Sequence, residues 1–231
     1  MITLLAVDTS TPACSVALWH KGAVTGSSVS EPRAHTRLLK PMIRELMAQA
    51  GLRVNQLDAI AFGRGPGSFT GLRITAGLVQ GLAWGLDRPV VPVSSLEAVA
   101  FQGARQFPDR PLAVAFDARM EEVYWGCFQV SDTQVRALVS EQVCPPEHLE
   151  LPVTGTDSGW AALGSGWSYR DRMPAAVTNA MAVSDEASVP RAEDIARLAV
   201  PRFERDGGQP PMEAQPVYVR DEVSWQKLPG R

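Results

Sequence analysis

Apolar and polar positions change their spacing several times along the chain, and each change predicts an element. Residues 2–7 are a short apolar run that ends in Asp8-Thr9-Ser10-Thr11-Pro12, a turn cluster. Residues 14–19 and 23–29, parted by Lys21-Gly22, follow as strands, so the chain opens as an antiparallel meander. From Thr36 to Ala50 the period lengthens. Leu39, Met42, Ile43, Leu46, Met47 and Ala50 recur at three- and four-residue steps, an amphipathic helix stopped by Gly51. Pro41 removes one ladder hydrogen bond, which predicts a kink or a late start near Lys40. Residues 57–62 read as a strand, 63–71 as a tight glycine-rich loop, and 72–86 as a helix capped by Ser68 or Thr70. A strand at 90–93 and a helix opened by Ser94-Ser95 complete a mixed α/β layer with helical crossovers.

The second half has a different texture. Residues 112–116 and 123–130 read as strands around the turn Asp117-Ala118-Arg119-Met120, and 134–143 pairs with the second of them. Residues 144–192 are rich in Pro, Gly, Ser and Asp with little periodicity; only 161–163 and the glycines after them suggest a buried strand and turn. A helix at 192–203 is ended by Gly207-Gly208. A boundary near 103–111 divides the chain into 1–105 and 106–231, with the C-terminal segment free to return to the first part. No repeat is visible at the residue level.

The length of 231 residues with 45% hydrophobic and 20% charged residues excludes a disordered or fibrous protein. Twenty-two Lys and Arg against 25 Asp and Glu give a net charge of −3, which argues against direct capture of nucleic acid. Three scattered cysteines, Cys14, Cys127 and Cys144, form neither a disulfide framework nor a zinc site. The N-terminus lacks a basic signal region and no apolar stretch approaches ~20 residues, so a cytoplasmic protein without a membrane anchor is expected.

Three features carry candidate chemistry. Asp8, Thr9 and Ser10 on a β-turn can hold a phosphate and its magnesium, or can simply bond their own backbone. Gly65 and Gly67, in a loop that opens a helix, suit an anion at the helix N-terminus, with Arg64 and Arg73 adding charge; a strand-to-helix turn needs the same glycines. The third is the bare stripe Gly77, Gly81 and Gly85. Each glycine costs about 1 kcal/mol relative to alanine inside a helix, so close approach by another element is expected there. That element is either the protein's own sheet or a partner. Apolar Leu38, Leu39, Met42, Ile43 and Leu46 on the preceding helix favour the partner. Histidines 20, 35 and 148 form no metal pair, and His35 reads as a solvated helix-end residue.

In this order the motifs resemble one family. Asp8-Thr9-Ser10-Thr11 with Ser15-Val16-Ala17-Leu18, Gly65-Pro66-Gly67-Ser68-Phe69-Thr70-Gly71-Leu72-Arg73, Asp117-Ala118-Arg119-Met120 before Val123-Tyr124, and Pro216-Val217-Tyr218-Val219-Arg220 are similar to the TsaB (YeaZ) family. The likeness covers nearly the whole chain and is weakest over 144–190. It implies an actin-like (ASKHA, ribonuclease H-like) α/β fold of two subdomains with mixed sheets. It also implies a part in threonylcarbamoylation of adenosine 37 (t6A) in tRNAs that read ANN codons. In that system TsaC makes threonylcarbamoyl-AMP, and TsaD transfers the group with a metal held by His-x-x-x-His. TsaE is the associated ATPase. The resemblance implies a non-catalytic subunit that binds TsaD through two N-terminal helices, self-associates as a homodimer when alone and meets tRNA only indirectly. No catalytic residue, metal or cofactor of its own is expected, with ATP or ADP at the partner interface. Ser95 and Val99 stand at the spacing where two imidazoles would be needed, and neither replaces one. The interface is expected at Leu38, Leu39, Met42, Ile43, Leu46, Arg73, Gly77, Gly81 and Gly85. Rival readings are an ATPase or kinase of the same fold using Asp8 and the glycine loop, and a peptidase-like activity, against which the missing triad and metal pair argue.

Overall fold

The opening apolar run becomes β1 (Leu4–Asp8), the central strand of the first sheet in a computed structural model that describes residues 1–31, 34–153 and 158–220. β2 (Ala13–His20) and β3 (Ala23–Ser30) extend it on one side as an antiparallel meander. β4 (Ala59–Gly65) and β5 (Val90–Ser94) extend it on the other as parallel strands, giving the order β3-β2-β1-β4-β5. Parallel strands need long crossovers, and α1 (His35–Gln49) and α2 (Phe69–Leu86) provide them. α2 begins where the Ser68 hydroxyl accepts the Gly71 amide.

α1 starts at His35 and runs through Pro41, contrary to the late start expected near Lys40. Pro41 lies on the exposed side, where the carbonyl it leaves without a donor faces solvent. The helix also turns its apolar stripe inward. Leu39 (1% exposed), Met42, Ile43 and Leu46 are buried against β1 and β2 with Leu5, Val7, Val16 and Leu18, so these four belong to the core and not to a free face. The stripe is buried from Leu39 to Met47, while Ala50 at its end is exposed; the outer side of α1 carries Arg37, Lys40, Arg44 and Glu45.

α3 (Ser95–Gln106) leads to the second sheet, its first amides capped by the Ser94 hydroxyl. There β6 (Leu112–Arg119) is central, with β7 (Glu122–Ser131) and β8 (Gln134–Cys144) antiparallel on one side. The parallel strands are β9 (Trp160–Leu163) and β10 (Met181–Asp185), in the order β10-β9-β6-β7-β8. Strand by strand this repeats the first sheet: a central strand, two antiparallel neighbours and two parallel ones. The internal duplication that the residues do not show is therefore present in the topology, and it is the two-subdomain actin-like fold. Residues 144–190, expected to be nearly featureless, hold β9, β10, a 3-10 stretch (Ser165–Arg172) and α4 (Ala175–Thr178) in place of the long helices.

The last helix of each half covers the other half's sheet. α3 packs on β6, β7, β8 and β9, where Leu96, Val99 and Ala100 meet Leu112, Val114 and Phe128. α5 (Ala192–Asp206) packs on all five strands of the first sheet, with Ile195, Ala196 and Ala199 against Leu4, Ala6 and Ala61. Beyond it the chain stays with the first half. Gln209 pairs with Val90, and the Val217 amide donates to the Arg64 carbonyl at 2.8 Å. The range 106–231 thus names a segment of sequence whose helix α5 and residues 209–218 lie on the first sheet, and residues 221–231 are outside those described.

Candidate functional site

β1 and β4 run parallel and place the Asp8 turn against the glycine loop. Asp8 Oδ1 accepts the Ser10 amide at 3.0 Å and the Ser10 hydroxyl at 2.9 Å. Its Oδ2 is buried without a hydrogen-bond partner, and a Cβ on Gly63 would lie 1.8 Å from it. Burial, only partly offset by the Ser10 contacts, pushes this carboxyl from its ordinary 3.8 up to about 7. The Ser68 amide donates to the Ser10 carbonyl at 2.6 Å. A Cβ on Gly67 would fall 2.4 Å from that same oxygen, and one on Gly71 would fall 1.8 Å from the Thr9 carbonyl. The Thr9 hydroxyl donates to the Gly71 carbonyl at 2.8 Å and accepts from Thr75 at 2.6 Å.

The glycines therefore let two stretches of backbone lock together. A phosphate cradle needs free N–H groups; here the turn aims the carbonyl oxygens of Thr9 and Ser10 at the loop, and the Ser68 and Gly71 amides are engaged. The equivalent place in the second half is packed in the same way, since a Cβ on Gly164 would lie 2.5 Å from the Ala115 carbonyl. Asp8, Thr9, Ser10 and Gly67 come together in a closely packed joint, whereas Gly65 faces Leu72 and the Val217 carbonyl.

Other reactive groups are equally enclosed. Burial pushes the Cys14 thiol up to about 11 and the Cys127 thiol up to about 12. Ser95 and Val99 are buried on α3. His35 is buried as well, with its pKa lowered by desolvation, which corrects the expectation of a solvated residue. Among the described residues no three His, Cys, Asp or Glu side chains gather as metal ligands, and no helix is long and apolar enough to cross a membrane.

The open part of the molecule is the outer side of α2. Arg73, Gly77, Gly81 and Gly85 are all exposed, and a Cβ added at any of the three glycines meets nothing within 4 Å. The stripe does not serve packing on the protein's own sheet. Its ends carry Phe69, 54% exposed, and Trp84, 69% exposed. The Arg73 guanidinium lies 3.9 Å from the centroid of the Phe69 ring and donates to the Tyr218 hydroxyl at 3.1 Å; the Phe69 and Tyr218 rings are 5.4 Å apart. Half-buried Leu38, Leu78 and Leu82 lie between this face and the core. Of the residues expected at an interface, Leu38, Arg73, Gly77, Gly81 and Gly85 thus keep some or all of their surface, whereas the four inward residues of α1 do not. Phe69, Trp84 and Tyr218 were missed. Following the stripe to both ends at helical spacing finds the first two; nothing in the sequence brings Tyr218 to them.

A family model described as TsaD, tRNA N6-adenosine threonylcarbamoyltransferase, matches residues 29–197. A tRNA threonylcarbamoyladenosine biosynthesis protein TsaB from Haemophilus influenzae is 40% identical over 240 residues, covering 100% of this chain and 98% of that protein. The TsaB of Escherichia coli is 36% identical over 230 residues, covering 99% of each. Among solved structures, YeaZ from Pseudomonas aeruginosa superposes with a TM-score of 0.88 at 46% identity, covering 94% of this chain and all of that one.

Proposed function

This chain belongs to the TsaB family of tRNA threonylcarbamoyladenosine biosynthesis proteins, and we propose that its part in that process is to dock the TsaD transferase rather than to perform the transfer. The observation that carries this reading is the glycine stripe of α2, which no part of the described chain approaches and which ends in exposed aromatic side chains. Three glycines in the interior of a helix are a stability cost with no return among the described residues. Close approach by a partner helix supplies the return, and two helices per side suffice for an interface of about 1,600 Å² in total.

The enclosed chemistry supports a non-catalytic role. Transfer from an acyl-adenylate needs an activated electrophile or nucleophile. Burial disfavours the charged form of Asp8, the Ser10, Ser68 and Gly71 amides are engaged, and burial raises the Cys14 and Cys127 thiols to about 11 and about 12. An ATPase or kinase reading would need Asp8 as a carboxylate beside open amides, whereas burial raises its pKa and the Ser68 and Gly71 amides are already bonded. In this reading ATP or ADP belongs at the interface with the partner, TsaE joins the assembled pair, TsaC supplies the activated group, and tRNA is held by the partner. The isolated chain self-associates as a homodimer through the same helices, and the work is done in the cytoplasm.

Gly81→Leu tests the reading. The variant is expected to keep the circular dichroism of the parent, to melt no lower than it, and to lose co-elution with TsaD on size exclusion. A complex of unchanged affinity would overturn the assignment of this face.

A further inference from the structure

We infer that Arg220 is a positioning residue for docking: it anchors the segment after α5 to the second half of the molecule and so holds Tyr218 in place beside the exposed face of α2. The inference rests on the docking reading above and adds a residue that acts on the docking face from outside it. Residues 209–217 run back over the first half and are pinned to it at several points. Gln209 pairs with Val90, and the Gln80 side chain on α2 donates to the Met212 carbonyl at 3.2 Å. Ala214 is buried in the core that α1 and α2 share, and the Val217 amide donates to the Arg64 carbonyl at 2.8 Å. Arg220 then reaches the second half. Its guanidinium donates to the Glu122 carboxylate, to the Ala118 carbonyl at 3.3 Å and to the Met120 sulfur at 3.5 Å.

The turn that receives Arg220 has an unusual backbone. The β6–β7 register shifts between Asp117 and Arg119, and Arg119, Met120 and Glu121 follow with φ of 63°, 55° and 61°, a left-handed run without a glycine. Ala118 thus stands outside the paired ladder, where its carbonyl meets Arg220. The ion pair with Glu122 is sheltered, with 19% of the Arg220 side chain and 30% of the Glu122 side chain exposed, and a charge-assisted contact of this kind is a firm anchor. Tyr218 lies between two fixed points, Val217 on β4 and Arg220 on the turn. Its hydroxyl accepts from Arg73 at 3.1 Å, its ring lies 5.4 Å from that of Phe69, and it remains 44% exposed. Phe69, Arg73, Gly77, Gly81 and Gly85 follow at four-residue steps on α2, so Tyr218 widens the docking face at one end. Tyrosine and arginine are among the side chains that dominate interface energies. A ring on a segment without helix or strand must nevertheless be ordered before it contributes, and Arg220 does this in advance of the partner.

The test is a calorimetric titration of the full chain with the TsaD of the same source, alongside hydrogen exchange at residues 217–219. Arg220→Leu is combined with Glu122→Gln, so that no carboxylate is left without its cation. This anchor variant is expected to keep the circular dichroism of the parent, to exchange the Val217 amide faster and to bind TsaD about tenfold more weakly. Tyr218→Ala is expected to lose at least as much affinity, and adding the anchor substitutions to it is expected to cost nothing more, because Arg220 acts through Tyr218. Arg220→Lys, which keeps a cation opposite Glu122, repeats the cycle with a milder change and is expected to lose about threefold. Parent-like affinity in the anchor variant and in Arg220→Lys would overturn the inference. Losses that simply add across Tyr218 and Arg220 would overturn it too, by giving Arg220 an effect independent of Tyr218. In both cases the docking reading stands. No TsaD binding by the parent would overturn the docking reading and the inference together.

Discussion

Asp8 is a buried carboxyl whose surroundings favour the neutral form, and that has a consequence for stability. Below about pH 4 the group is protonated in folded and unfolded chains alike, and its burial carries no ionic cost. Between pH 4 and 7 the unfolded chain releases the proton while the folded chain retains it, so stability falls as pH rises; above 7 the loss is complete. A displacement from 3.8 to about 7 corresponds to roughly 4 kcal/mol. Asp8→Asn is expected to flatten this slope and to raise stability at pH 7.5 by a few kcal/mol, read from urea unfolding across the pH range. A steeper slope in the variant would show that Asp8 is ionised in the folded protein. The turn and the glycine loop were both legible in the sequence as motifs. What they do was not, because glycine spacing reports backbone freedom and leaves open which atoms approach. Here they are the Thr9 and Ser10 carbonyl oxygens.

Helix α2 separates stability from binding. Nothing within 4 Å opposes a Cβ at Gly77, Gly81 or Gly85, so alanine at each is expected to add about 0.5–1 kcal/mol of stability and raise the melting temperature. The same three substitutions are expected to weaken TsaD docking, since each methyl holds a partner helix away. A stabilised triple variant that docks normally would leave the glycines without a reason. Helix α1 makes the opposite point. Its hydrophobic period is legible in the sequence, but the inner face that the pattern offers to a partner belongs to the core. Leu46→Ala is therefore expected to cost about 2–4 kcal/mol in thermal or urea unfolding, far more than an interface residue would. Periodicity identifies a buried face; it does not say whether the burying surface is the same chain.

Across the whole molecule, the two duplicated sheets are tied by exchanged helices and by an ion pair that spans them. Arg64 on β4 donates to Glu141 on β8 at 3.1 Å, with both side chains mostly buried. Burial pushes the Glu141 carboxyl up, while Arg64 and the Ser94 hydroxyl hold it down. Arg64→Met leaves that carboxylate enclosed without its cation and is expected to cost about 2 kcal/mol. Adding Glu141→Gln is expected to recover most of the loss, as measured by a double-mutant cycle in urea. Additive effects would mean that the pair does not couple the halves. This bridge joins residues 77 positions apart, and the sequence offers no signal for it.

The sequence by itself determined the open meander, the three long helices of the first half, the hydroxyls that cap α2 and α3, and, through its ordered motifs, the family. These are local properties: hydrophobic period, hydroxyls that cap and glycines that turn are written within a few consecutive residues. Tertiary structure alone decided that the second half repeats the first, that α3 and α5 each cover the other half's sheet, that α1 looks inward, and that the Asp8 joint is closed. Each depends on which distant segment supplies the neighbouring surface, and a one-dimensional pattern states only that such a surface is needed.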